Sequence, residues 1–470
     1  MPGTWPVKGV KFRQVIHSTV FTSKRSSEKL QKLFLPILYA SVLAGPGLAF
    51  VLPPVLGLDY KPAVMALRVI VASISLALFA LGLVRAGTGL CGSPVLIAVA
   101  TLWFALLLRT TYDIWIRELD TVWEPWVFFY LGLGVSLIPA LGFLSLAPNS
   151  VLRRAQGFVF VALLLSVSLF VFVSEAYMQS IGWAVRMQPM TFNAISVGHY
   201  SASLALLALL FLLERQRKVL WRTIFLVTFI FAVTILSMSA SRGPIISFVV
   251  TMVIVMFFYM LRRRTRRLTA IVLSCLLLLI LTGTIVLVER FTEFGPVERL
   301  EIIGTDINSE LRIDQAQGGL SQFMASPIIG SAIVETNSRY HPHNSFVETL
   351  MAVGLFGGLL YGLVWISVGW KTARALRFGW AHAWVGVLAV QWGLGSMFSG
   401  SILGQGEFWA LAVGLLSADF HCLAMSSGKH YPVDQPDTCV GLPGWSPTVV
   451  PNQPFVRGLK MHSAKVREED

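Results

Sequence analysis

Charge is scarce in this chain. Only 13% of its 470 residues are Asp, Glu, Lys or Arg, where a soluble protein of this length carries roughly a quarter. Too little polar surface is left to face water all round. Cysteine is scarce too. Cys91, Cys275, Cys422 and Cys439 are scattered, so neither a disulfide framework nor a metal site is expected. The first 30 residues lack the apolar core of a cleavable signal peptide. No internal repeat is visible, and the apolar stretches do not alternate with polar residues as a β-barrel requires.

What the chain has is long apolar runs. It is 55% hydrophobic, with mean hydropathy +0.71. Runs such as "AVMALRVIVASISLALFALGLV" (63–84) and "LTAIVLSCLLLLILTGTIVLV" (268–288) reach the ~20 residues that cross a hydrocarbon core of ~30 Å. The expectation is an all-α, polytopic integral membrane protein of about 12 transmembrane helices. They fall near 33–53, 63–84, 93–108, 126–146, 157–176, 197–213, 219–238, 244–261, 268–288, 345–368, 381–398 and 405–424. The segment "GLGSMFSGSILGQG" between the last two is either a broken helix or a short turn.

Basic residues set the orientation, because basic segments resist translocation. The N-terminal tail, Arg85, Arg153 with Arg154, Arg215 with Arg217 and Lys218, "RRRTRR" (262–267), and Lys371 with Arg374 and Arg377 mark every second loop. Both termini are therefore expected in the cytoplasm. The net charge of +13 is then mostly topology, and no nucleic-acid partner is implied. The segments read as a cytoplasmic tail (1–30), a membrane domain (31–425) and a disordered, proline-rich cytoplasmic tail (426–470). The long loop at 289–344, between the ninth and tenth spans, is the feature most apt to be functional. Inside it, "NSELRIDQAQGGLSQFMAS" (308–326) starts on capping residues and carries apolar positions near helical spacing. It reads as an amphipathic helix at the outer interface, weakened by Gly318 and Gly319.

Three residues stand out on that face: Arg242 in a tight turn, Arg312 near the start of the loop helix, and His343 at the mouth of the tenth span. A guanidinium stays charged and offers paired donors to phosphate oxygens. An imidazole can take a proton from a hydroxyl near neutral pH. Together these suit transfer from a lipid pyrophosphate to a sugar hydroxyl. Each residue also has a plainer reading: headgroup anchor, solvated helix face, structural histidine. Arg186 and Asn193 are candidate donor-loop residues. Arg68, inside the second span, either snorkels to the surface or meets a lipid phosphate. Trp103, Tyr112, Trp115, Trp123 and Trp126 read as an interfacial belt, with a sugar-stacking platform as the alternative.

One motif joins these points. His343 and Asn344, the nine residues "SFVETLMAV", then Gly354 and Gly357 in "GLFGGL" resemble the signature of the O-antigen ligase and polymerase superfamily. "SRG" (241–243) resembles its arginine turn, and "ELRIDQAQGGLSQFMASPIIGS" (310–331) its segment before the histidine. The resemblance implies a periplasmic catalytic loop at 289–344 and a C-type membrane glycosyltransferase-like fold. It implies His343 as base and Arg242 and Arg312 on the donor pyrophosphate; Asn344 and Arg186 are read beside them as substrate-binding residues. It also implies a metal-independent, inverting glycosyltransferase without a cofactor; no Asp-x-Asp pair stands on the expected outer face. The donor would be a glycan on undecaprenyl pyrophosphate and the site the bacterial inner membrane. The acceptor would be lipid A–core in a lipopolysaccharide ligase, or a growing polysaccharide in an O-antigen or exopolysaccharide polymerase. A polysaccharide transporter or lipid flippase is the rival from another class.

Overall fold

The computed structural model describes residues 29–86, 93–144, 149–181, 193–214, 218–262, 307–379 and 381–417, with isolated positions at 282, 283 and 286. Most of the first tail, most of the expected ninth span at 268–288, the first part of the long loop, Arg186, and the tail from 418 onward lie outside them. The described chain is helical, without a strand; one isolated bridge joins Glu335 to Tyr340.

The helices in chain order are α1 (Lys29–Leu43), α2 (Gly45–Val55), α3 (Tyr60–Ala86) and α4 (Pro94–Thr111). α5 (Pro125–Gly142) follows, then α6 (Asn149–Ile181), α7 (Ala194–Leu213), α8 (Val219–Met238) and α9 (Arg242–Arg262). The last four are α10 (Ile307–Ala325), α11 (Ser345–Phe378), α12 (Ala383–Ser399) and α13 (Gly406–Ser417). Among the described residues, 8 helices are long and apolar enough to cross a membrane. The pair α1 and α2, bent by 68°, makes up to 9, and α12 and α13 are shorter apolar helices. The glycine- and serine-rich segment is a short turn at 400–405.

Local chemistry fixes the ends and breaks. Pro46 opens α2, and the Ser166 hydroxyl donates to the Ala44 carbonyl at the bend. In lipid a break survives only where a neighbour satisfies the freed backbone group. Asn193 caps α7 through its side-chain oxygen, and Asn344 does the same for α11. Gly379, in the left-handed region, ends α11. At ~1.5 Å per residue, the 34 residues of α11 exceed the ~30 Å core, so part of it extends past the hydrocarbon or tilts.

α7 is the central helix, buried along most of its length. Its small residues Ser201, Ala202, Ser203, Ala205 and Ala208 admit close neighbours. At Gly198 an added Cβ would lie 2.8 Å from Pro244 and 2.9 Å from Ser239. The missing side chain therefore lets the turn between α8 and α9, with Arg242, settle onto α7. Tryptophans fill the interior: Trp103 packs edge-on against Trp409, ring centres 5.2 Å apart. Trp103 thus leaves the expected belt for the core, while Tyr112, Trp115 and Trp126 stay exposed as a belt requires.

Candidate active site

Three separate stretches of chain meet the end of α12. The Arg312 guanidinium, on the first turns of α10, donates to the Phe398 carbonyl at 3.1 Å. The Asn344 side-chain amide donates to the Met397 carbonyl at 3.1 Å, while its oxygen accepts from the N–H groups of Phe346 and Val347. The Arg242 turn packs there as well, since a Cβ at Gly243 would sit 3.1 Å from Cβ of Phe398. The last carbonyls of a helix have no intrahelical donor, so Met397 and Phe398 are natural seats for these donors. Gly318 and Gly319 explain how α10 comes so close. A Cβ on the first would meet Glu335 at 2.8 Å, and one on the second would meet Val347 at 3.1 Å. The helix forms despite its two glycines because tertiary contact outweighs propensity.

His343 precedes Asn344 with φ 53°, a conformation uncommon for a residue with a side chain. Its ring is edge-on to His341, centres 4.4 Å apart, and 5.3 Å from Tyr340. Burial, and then the positive charge of Arg312, pull its pKa down to about 4. Arg312 therefore lies within electrostatic reach of His343, and the imidazole is neutral near pH 7. Its Nδ1 is buried with no hydrogen-bond partner among the described residues. Burial, His343 and Arg312 depress His341 to about 3. Burial raises the Tyr340 hydroxyl above its ordinary value.

The structure brings Arg312, His343 and Asn344 together, with Arg242 beside them through Gly243. Arg186 lies outside the described residues. Asn193 is a helix cap. Arg68 acts electrostatically on Glu407 and Tyr200, whose side chains share a hydrogen bond inside the bundle. Among the described residues no three His, Cys, Asp or Glu side chains group as a metal would need. A cavity of about 380 Å³ between α1, α2, α3 and α6, lined by Ile37, Leu48, Leu67 and Phe158, is apolar and away from these residues.

Several supporting residues escaped the sequence reading. Asp113, fully buried, accepts from Arg109 at 2.8 Å, from Arg117 at 3.2 Å and from the Ile333 N–H at 2.8 Å. Arg117 also donates to the Ser331 carbonyl at 2.7 Å. Further on, Val122 N–H donates to the Arg339 carbonyl, Arg339 pairs with Asp120, and Trp123 packs on Tyr340 and His341. The segment carrying His343 is thus tied to the one following α4. The signal was present: Asp113 has an arginine four residues to either side, one helical turn each way. Glu348, buried in α11, accepts from the Ser401 hydroxyl at 2.7 Å and the Ile402 N–H at 2.8 Å, anchoring the turn beyond Phe398. A lone carboxylate in an apolar helix was its signal.

Residues 227–362 match the family model described as O-antigen ligase. The match supports membership of the O-antigen ligase superfamily. The matched stretch is less than a third of the chain, yet it runs from α8 into α11 and holds Arg242, Arg312, His343 and Asn344. Met397 and Phe398, on which Arg312 and Asn344 rest, lie beyond it, and the Asp113 clamp lies before it. No curated protein matches the chain, and no solved structure does. The O-antigen ligase match supports a glycosyltransferase-like enzyme of ligase or polymerase type, acting in a membrane on lipid-linked polysaccharide.

Proposed function

We propose that the protein transfers a glycan from undecaprenyl pyrophosphate to a sugar hydroxyl of lipid A–core, as an O-antigen ligase at the periplasmic face of the bacterial inner membrane. Both termini face the cytoplasm in this reading. Arg242 and Arg312 grip the donor diphosphate. The acceptor oxygen bonds to the anomeric carbon as the bond from that carbon to the phosphate oxygen breaks, inverting the centre. The hydroxyl proton passes to His343, and the diphosphate leaves with the electron pair, its charge held by the guanidinium groups. Asn344 orients the base by capping α11.

The observation that carries this reading is the meeting of Arg312, the Arg242 turn and the His343–Asn344 corner on Met397 and Phe398. A neutral imidazole with an unpartnered nitrogen is the form that can accept a proton. Purified protein in nanodiscs, given a carrier-linked glycan and lipid A–core, tests it. His343→Gly should lower turnover about 10²–10⁴-fold, the usual contribution of a general base, and added imidazole should restore part of it. Wild-type rates in that variant would remove the base. Glycan extension on the carrier, with none on lipid A–core, would make the protein a polymerase of the same superfamily. Carrier flux across vesicles without transfer would revive the transporter reading, to which the interior cluster of Arg68, Tyr200 and Glu407 lends its one support.

A further inference from the structure

The turn at 326–331, "SPIIGS", is built in an unusual way. At Gly354 the backbone of α11 leaves helical geometry, with φ 70° and ψ −162°. The bond from the Leu355 N–H to the Met351 carbonyl, which a regular helix would make, is not formed there. Instead Leu355 N–H donates to the Pro327 carbonyl at 2.7 Å, and the Met351 carbonyl accepts from Ser331 N–H at 2.8 Å. The turn has inserted itself into one broken rung of the helix. Both glycines are needed for the fit: a Cβ at Gly354 would lie 2.3 Å from the Ile328 carbonyl oxygen, and one at Gly330 2.5 Å from Ala352. The turn also closes on itself, with Gly330 N–H donating to the Ser326 carbonyl and the Ser326 hydroxyl to the Gly330 carbonyl. Pro327 carries no N–H to satisfy.

Its side chains do the opposite of its peptides. Ile328 is 77% exposed and Ile329 71%. They continue an exposed stripe along α10 formed by Leu320 and Met324, four residues apart and so on one face. Across the inserted turn lie the exposed Leu355, Phe356 and Leu359 of α11, a helix apolar enough to cross a membrane. The apolar surface of the turn is therefore continuous with the face that this span turns to lipid. In water neither device is needed, since solvent would serve the kink and would penalise two bare isoleucines. In hydrocarbon both are needed.

We propose that the 326–331 turn dips into the leaflet on the His343 side of the bilayer. Ile328 and Ile329 sit among phospholipid acyl chains there, so the turn fixes the height at which Arg312 and His343 stand above the membrane. The occupant is bulk phospholipid, and the assignment holds whatever reaction the site performs.

A diazirine-bearing amino acid in place of Ile329, and in a second variant in place of Asn337, tests this in the full chain. The protein is held in phosphatidylethanolamine–phosphatidylglycerol nanodiscs, illuminated with and without polyprenyl pyrophosphate, and its adducts are weighed. Phospholipid adducts should dominate at position 329 in both conditions, and water adducts at 337, an exposed position in the same segment. Predominant water insertion at 329 would overturn the dip. Replacement of phospholipid by polyprenyl adducts when the carrier is added would make the surface a carrier site instead. Cross-linked dimers would make it an interface between copies. Ile328 serves as a second labelling position if the variant at 329 fails to assemble.

Discussion

His343 combines two costs in one residue. Its backbone sits at φ 53°, and its ring is held neutral by burial and by Arg312. Strain of this kind amounts to about 1–3 kcal/mol and persists only where the surroundings impose it. Glycine at 343 relieves it, so the His343→Gly variant should melt no lower than wild type even where its turnover falls. The lowered pKa has a definite sign. The folded chain binds this proton less readily than the unfolded chain, so His343 withdraws stability as pH falls below its ordinary value, until its folded pKa near 4 is passed. For catalysis, a bound diphosphate would offset the Arg312 charge and raise the imidazole. The acid limb of kcat/KM, which reports the free enzyme, should then lie at lower pH than the acid limb of kcat. Arg312→Gln should move the free-enzyme limb upward as well as weakening donor binding. Unchanged limbs would show that the two groups do not communicate.

At the scale of elements, the pieces read from sequence are those whose cause is local. Apolar runs give α8 to the residue and α3 and α9 to within about three residues at either end, because each needs only length and hydropathy. The helix expected at 308–326 forms as Ile307–Ala325. The 68° bend between α1 and α2 was not legible, because it depends on a hydroxyl contributed by α6. The motif glycine at 354 was visible in the sequence, but the turn it admits was not. Gly354→Ala must place a Cβ against the Ile328 carbonyl at a positive φ, and backbone cannot give way as a side chain does. A loss of more than about 2 kcal/mol is expected, read as a lower melting temperature in detergent. Gly157→Ala, where nothing lies within 4 Å, should be neutral or gain up to about 1 kcal/mol from helix propensity. Equal behaviour of the two would refute the account of the kink.

Across the whole molecule, the site is held by residues that no short motif contains. His343, Asn344, Arg242 and Arg312 could be proposed from the sequence because their chemistry resides in their side chains. The carbonyls of Met397 and Phe398 carry no such mark, since every residue has one. Asp113 was hidden by its setting among charges that read as an ordinary loop. Asp113→Asn keeps an acceptor for the Ile333 N–H but removes the charge between Arg109 and Arg117. The expected cost is about 2 kcal/mol, below the usual figure for breaking a buried pair because Arg117 is partly exposed. It should appear as faster proteolysis at 331–343 while the membrane helices stay protected. Unaltered cleavage would mean that the remaining ties through Arg339 and Trp123 suffice.

The chain is made from its amino terminus, and α12 comes near the end. Until that late helix is in place, Arg312 and Asn344 have no ledge to rest on. A ribosome that stopped at residue 390 would already have delivered Arg242, Arg312, His343 and Asn344. The product would still be mute, a set of teeth without a jaw.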